Sequence, residues 1–177
     1  MSDSGENRVG KLKVGILGFG SLGQFMYDAI VDDASISSRF EIAWVWNRSS
    51  GPLERISAKE KRVSGMDKLE KIWDECDRAD IVVEVSHPSI SVLLAASMIR
   101  SGANFVIGSP TALADVDAER TIRETALDTS NSGACYIPAG ALWGASDLQV
   151  GCSTSRYVLQ HYIVIQIRES AFRLFHY

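Results

Sequence analysis

The stretch Val14-Gly15-Ile16-Leu17-Gly18-Phe19-Gly20-Ser21-Leu22-Gly23 decides the fold of this chain. It closes an apolar run that begins at Leu12, carries the pattern G-x-G-x-x-G, and is followed by apolar residues at helical spacing up to Ile30. This order predicts a strand, a tight turn and a helix. In such a unit the first glycine permits the turn, the second lets the backbone approach a pyrophosphate, and the third lets the helix pack closely on the strand.

We expect the glycine loop to bind a dinucleotide, because the amino end of the following helix presents free N–H groups and a partial positive charge to phosphates. The alternative is a turn in which the glycines have only a structural role. The expected contacts of the loop with the cofactor, NAD or NADP, are Gly18, Phe19, Gly20, Ser21, Leu22 and Gly23.

The composition is that of an ordinary globular protein, with 177 residues, 46% of them hydrophobic and 23% charged. A net charge of −4 gives no general attraction to nucleic acid, and no stretch approaches the roughly 18 apolar residues of a membrane span. The three cysteines lack the spacing of metal ligands. We therefore expect a cytoplasmic protein with reduced thiols, no metal site, and no nucleic-acid or membrane partner.

Strand and helix patterns alternate behind the first unit. Apolar runs predict strands at 40–46, 79–85, 104–108 and 134–138, and helical patterns cover 66–76, 88–101 and 115–128. Residues 49–64 are polar and contain a turn at Gly51-Pro52, so we predict no strand there. The alternation predicts an α/β fold, a Rossmann-type doubly wound parallel sheet, over residues 11–148, after a short disordered arm at 1–10.

The end of the second predicted strand bears on the choice of cofactor. Folds that prefer NAD carry an acidic residue there, which bonds to the hydroxyls of the adenosine ribose. This chain has Asn47 and Arg48 instead, and a guanidinium suits a 2′-phosphate. We therefore favour NADP, or use of both cofactors, over the alternative that Arg48 is only a solvated loop charge.

Polar or small residues also follow the later strands, where ligands of parallel sheets bind. The candidates for cofactor contact are Ser86, His87, Ser109, Gly140 and Ala141. For His87 we also consider acid–base catalysis and a structural role, and for Ser109 a helix cap or turn. The small residues Gly140 and Ala141 suit either a nicotinamide ring or tight packing. Glu84 lies in an apolar strand, so its carboxylate must pair or sit near the strand end.

These loops together resemble the L-aspartate dehydrogenase family, including the aspartate dehydrogenase domain-containing proteins of animals. The most specific motifs are the stretches GSPTALAD at 108–115 and GALWG at 140–144. The resemblance implies NAD(P)-dependent oxidative deamination of L-aspartate to iminoaspartate, then oxaloacetate and ammonia, with a link to NAD biosynthesis. It carries cofactor contacts over to Gly18, Gly20, Gly23, Asn47, Arg48, His87 and Ala141.

The resemblance ends near residue 148, before the second, α+β domain that holds the family's catalytic histidine. We expect only a remnant of that domain in the tail at 149–177, with one strand at 162–168 and an apolar end, and we assign no catalytic residue. Apolar surface left at the domain junction predicts a homo-oligomer. Two alternatives stay open, an inactive NAD(P)-binding fragment and an enzyme similar to homoserine dehydrogenase or dihydrodipicolinate reductase.

Overall fold

A computed structural model of the protein describes residues 10–138, in which strands and helices alternate along the chain. The chain divides into two compact units at Ile81 and Val82. Each unit contains parallel strands joined through helices, which confirms the predicted Rossmann-type α/β class.

From residue 10 onward, the first unit contains three strands, four α-helices and two short 3₁₀ helices at Gly51–Arg55 and Lys59–Lys61. The strands are β1 (Leu12–Leu17), β2 (Phe40–Asn47) and β3 (Arg62–Ser64), and the helices are α1 (Ser21–Asp32), α2 (Ala34–Ser37), α3 (Met66–Leu69) and α4 (Ile72–Glu75). Parallel pairing places β2 between β1 and β3. The buried indoles of Trp44 and Trp46 fill the core, and their N–H groups donate to the carbonyls of Asp77 at 3.0 Å and Gly65 at 2.9 Å.

Two predictions in this unit are wrong. Residues 66–76 do not form one helix, because the helix stops after Leu69 and a new turn begins with Asp74 and Glu75 donating to the carbonyl of Lys71. No glycine or proline marks this break, so the apolar spacing alone suggested continuity. The polar segment at 49–64 does contain a strand, β3, which is only three residues long and buries only Val63. That is too short for an alternating pattern.

The second unit contains β4 (Ile81–Glu84), α5 (Pro88–Arg100), β5 (Asn104–Ile107), α6 (Val116–Leu127) and β6 (Cys135–Tyr136). A short 3₁₀ helix at Pro110–Ala114 links β5 to α6. The strand order is β4-β5-β6, and the parallel register pairs Phe105 with Cys135. The predicted elements are confirmed here, with each strand shorter than its apolar run.

Several predictions fall outside the described residues. These are the arm before residue 10, Gly140 and Ala141, the domain boundary at 148, and the strand and apolar end of the tail. Within residues 10–138, no helix combines the length and apolar character that crossing a membrane requires.

Candidate functional site

The three glycines of the loop between β1 and α1 have different structural roles. Gly18 has φ of +114°, which favours glycine, and its N–H donates to the carbonyl of Trp46 at 2.9 Å. A Cβ added to Gly23 would lie 2.0 Å from the Gly18 carbonyl oxygen, so close packing requires a glycine there. Gly20 has φ of −74°, and a Cβ there would meet nothing within 4 Å. The fold therefore needs Gly18 and Gly23, whereas nothing within the described chain requires Gly20.

The amino end of α1 has no internal cap. No side chain caps it, its first turn contains no acidic residue, and its first internal bond runs from the Gln24 N–H to the Gly20 carbonyl. Within residues 10–138 the N–H groups of Ser21, Leu22 and Gly23 consequently have no acceptor. By contrast, α2, α5 and α6 are each capped by a side chain, namely Asp33, His87 and Asp115. The uncapped end of α1 suits an anion.

Phe19 is held from three sides. Its ring is buried and meets Tyr27 edge-on, with ring centroids 5.6 Å apart. Its N–H donates to Asn47 Oδ1 at 3.1 Å, and its carbonyl accepts from Gln24 Nε2 at 3.1 Å. Gln24 Oε1 in turn accepts from Arg55 Nη1 at 2.7 Å. The polar backbone groups of Phe19 are therefore used inside the protein.

Arg55 is a residue that the sequence analysis missed. Besides Gln24, its guanidinium binds both carboxylate oxygens of Asp28, at 2.8 and 3.0 Å. Nη2 makes both contacts with Asp28, and Nη1 makes the contact with Gln24, so Arg55 links Asp28 to the side chain that binds the Phe19 carbonyl. No signal in the sequence joins these residues, because Arg55 follows Gln24 by 31 positions within a polar segment.

Asn47 and Arg48 differ sharply in their surroundings. The Asn47 amide accepts from the Phe19 N–H, and its Nδ2 donates to the Ser49 carbonyl at 3.0 Å and lies 3.3 Å from Ser49 Oγ. Arg48 is exposed, and its side chain forms no hydrogen bond or ion pair with another described residue. Of these two candidates, only Arg48 has all its donors available to a ligand.

In the second unit, the side chain of Glu84 accepts hydrogen bonds from the loops that follow β4 and β5. Its side chain is fully buried at the end of β4. Oε1 accepts from the N–H and Oγ of Ser86, the N–H of His87 and the Oγ of Ser109, at 2.7 to 3.1 Å. Oε2 accepts from Ser91 Oγ at 2.9 Å and the Ser109 N–H at 3.2 Å. The expectation that Glu84 pairs near the strand end is confirmed, and all six donors are neutral groups.

His87 caps α5. Its Nδ1 accepts from the Ser89 N–H at 3.2 Å and lies 2.8 Å from Ser89 Oγ. An acceptor at Nδ1 places the proton of the neutral ring on Nε2, and this donor of the exposed ring has no partner among residues 10–138. The structural role considered for His87 is confirmed, and cofactor contact through Nε2 stays a prediction.

Ser109 combines a turn with a contact to Glu84. Its carbonyl accepts from the Ala112 N–H at 3.0 Å, which starts the 3₁₀ helix, but its side chain does not cap that helix. The position considered for Ser109, a helix cap or turn residue before Pro110, is therefore confirmed, while its N–H and its hydroxyl both donate to Glu84. Ser86, His87 and Ser109 are thus brought together around one carboxylate.

Both described cysteines are held in the thiol form by their surroundings. Burial raises the pKa of Cys135 to about 12, and it also raises the pKa of Cys76. Among residues 10–138, no group of three or more histidine, cysteine, aspartate or glutamate side chains is placed to hold a metal ion.

Known proteins resemble this chain in both sequence and fold. A family model described as "Homoserine dehydrogenase, NAD binding domain" matches residues 18–133. The aspartate dehydrogenase domain-containing protein of Xenopus tropicalis is 37% identical over 142 residues, which cover 78% of this chain and 45% of that protein. The protein of the same name from Danio rerio is 36% identical over 139 residues, covering 78% and 47%.

Among solved structures, aspartate dehydrogenase from Thermotoga maritima matches with a TM-score of 0.54 and 20% identity. The match covers 80% of this chain and 51% of that protein, and at this identity it establishes the fold alone. The chain spans about half the length of the curated relatives that it matches.

Proposed function

Because this chain belongs to the family described as the NAD-binding domain of homoserine dehydrogenase, we propose that its glycine loop binds the pyrophosphate of NAD or NADP. The observation that carries the proposal is Gly20, a glycine that the described chain does not require, beside the uncapped amino end of α1. A side chain there would fill space that a phosphate needs. The remaining contacts proposed for the loop are the N–H groups of Ser21, Leu22 and Gly23.

For the rest of the cofactor we propose Arg48 at the 2′-phosphate of NADP, which makes NADP preferred or equal to NAD. Its support is the exposed guanidinium without a described partner, beside a strand end that lacks a carboxylate. We also propose cofactor contact through His87 Nε2 and the loop at Ser86. Their shared anchor on Glu84 supports a fixed loop.

We further propose an oxidoreductase that acts on L-aspartate, because the curated relatives carry the aspartate dehydrogenase name. The substrate would lose a hydride and a proton to give iminoaspartate, which water converts to oxaloacetate and ammonia. When bound, the cofactor supplies the hydride acceptor, whereas the described residues bind and orient it. We also propose a cytoplasmic homo-oligomer that serves NAD biosynthesis. The two cysteines within residues 10–138, Cys76 and Cys135, are free thiols, which supports a reducing compartment.

Binding is tested with two glycine variants of the full chain, titrated with NADH and NADPH by fluorescence. Gly20→Ala should weaken binding of both cofactors by about tenfold or more, because its Cβ enters the phosphate space. Its melting temperature should stay within about 2 °C of the parent, because that Cβ meets no protein atom. Gly51→Ala is the matched control, since a Cβ at Gly51 also meets nothing within 4 Å. Unchanged affinity in Gly20→Ala would refute binding at this loop.

Catalysis is tested separately by cofactor reduction with L-aspartate and with L-homoserine. Reduction that depends on aspartate supports the proposed activity. Reduction that depends on homoserine instead would transfer the assignment to that substrate. Cofactor binding without reduction by either substrate would leave a binding module and overturn the enzymatic proposal.

A further inference from the structure

We propose that Asn47 is a positioning residue that holds the glycine loop ready for the pyrophosphate, and that its side chain does not contact the adenosine ribose. The inference rests on the proposed function, because it concerns the same dinucleotide site. It departs from the usual role of this position, where a side chain at the end of the second strand bonds to the ribose.

The first argument is the hydrogen-bond capacity of the amide. A primary amide offers two N–H donors and one carbonyl oxygen. The Asn47 oxygen accepts from the Phe19 N–H at 3.1 Å, and Nδ2 reaches the Ser49 carbonyl at 3.0 Å and Ser49 Oγ at 3.3 Å. Both kinds of polar atom in the side chain therefore already have internal partners, and the second lone pair of the oxygen is the one acceptor position without a described partner.

The second argument is that Asn47 continues the pairing of two strands. Leu17 is the last residue of β1 and pairs with Trp46, and the Gly18 N–H then donates to the Trp46 carbonyl at 2.9 Å. The next N–H, that of Phe19, donates to the side chain of the next residue, Asn47. Consecutive loop amides are thus fixed by consecutive residues of β2. Among the described residues, the next amides without an acceptor are that of Gly20 and those of the first turn of α1.

The third argument is that strand pairing fixes the backbone of Asn47 itself. It is the last residue of β2 and pairs with Ser64 of β3, and its carbonyl lies 3.4 Å from the Gly65 N–H. The Phe19 carbonyl accepts from Gln24 Nε2, and Gln24 Oε1 in turn accepts from Arg55. The N–H and the carbonyl of Phe19 are therefore both held, so that a bound phosphate would not have to order them.

The test compares ADP with 2′,3′-dideoxy-ADP, which keeps the diphosphate but lacks both ribose hydroxyls. Affinities for the full chain and its Asn47→Ala variant are measured by calorimetry. Positioning predicts that Asn47→Ala weakens both ligands by the same factor, about three- to tenfold, the worth of one hydrogen bond. A loss confined to ADP, or no loss for either ligand, would overturn the proposal.

Two further measurements keep the result interpretable. Asn47→Asp retains an acceptor for Phe19, so hydrogen exchange of the Phe19 amide, measured without ligand, should stay within about twofold of the parent, whether or not Asn47→Ala folds. Faster exchange in Asn47→Asp would contradict positioning through Phe19. The same exchange should be faster in Asn47→Ala than in the parent. An unchanged rate would contradict the hydrogen bond from the Phe19 N–H to the Asn47 side chain. If the parent binds neither NADH nor ADP, the proposed function fails. Faster exchange of the Phe19 amide in Asn47→Ala would still show that Asn47 holds this amide.

Discussion

Replacement of Glu84 by glutamine should destabilise the second unit more than its small chemical change suggests. The carboxylate accepts six hydrogen bonds while fully buried. Four donors converge on Oε1, so the amide oxygen of Glu84→Gln is expected at that position. Its NH₂ group would then take the place of Oε2 and face the N–H of Ser109 and the hydroxyl of Ser91.

The magnitude follows from those two contacts. The Ser91 hydroxyl can rotate and accept, but the Ser109 N–H can only donate and loses its acceptor. One unsatisfied N–H costs about 1–3 kcal/mol. The four hydrogen bonds to the remaining oxygen also weaken, because a neutral amide oxygen replaces a charged carboxylate as their acceptor. Relief from burying a charge offsets part of this loss. We expect a net decrease of about 2–3 kcal/mol in the free energy of unfolding.

The assay is urea unfolding of the parent, Glu84→Gln and Ser91→Ala, followed by circular dichroism. Ser91→Ala is the matched control, because it removes one donor to Oε2 and leaves the other five in place. It should cost about 1 kcal/mol. Glu84→Gln with a stability within about 0.5 kcal/mol of the parent would refute the argument from the Ser109 N–H.

Two other outcomes follow from the described residues. Arg48→Ala should weaken NADPH binding about tenfold while changing NADH binding less than about twofold, because only NADPH carries the 2′-phosphate, and equal losses in titrations of both cofactors would contradict that role. Cys135 should resist alkylation at pH 8 in the folded protein, since burial raises its pKa to about 12 and keeps the thiol protonated, and it should react once urea unfolds the chain. Peptide mapping by mass spectrometry measures both states, and rapid labelling of the folded protein would show that Cys135 is accessible.

Apart from the short strand β3, the order of strands and long helices is predictable from sequence, because each of the other strands lies in an apolar run and each long helix has an apolar face. The glycine pattern also locates the turn before α1, where Gly18 and Gly23 meet demands of the backbone itself. The break between α3 and α4 is not predictable, because Leu69 and Ile72 keep the spacing of one continuous helix.

The partners of the polar side chains are the less predictable part of the candidate site. A carboxylate inside an apolar strand must find donors, and this much is visible in the sequence for Glu84. That Ser109 supplies two of them, from 25 positions further along, depends on the approach of the loop after β5. Similarly, the sequence indicates a polar residue at the end of β2, but not that Asn47 turns towards Phe19.

Asn47 in the first unit and Glu84 in the second have the same structural role. Each is the last residue of a parallel strand, and each uses its side chain to bind backbone N–H groups of loops that follow strands. Loops fixed in this way lose little conformational entropy when a ligand binds. Substitution of either residue should therefore weaken binding without removing a direct contact. A comparison of ligands that differ in one group separates this effect from a lost contact, because a misplaced loop weakens every ligand that uses it.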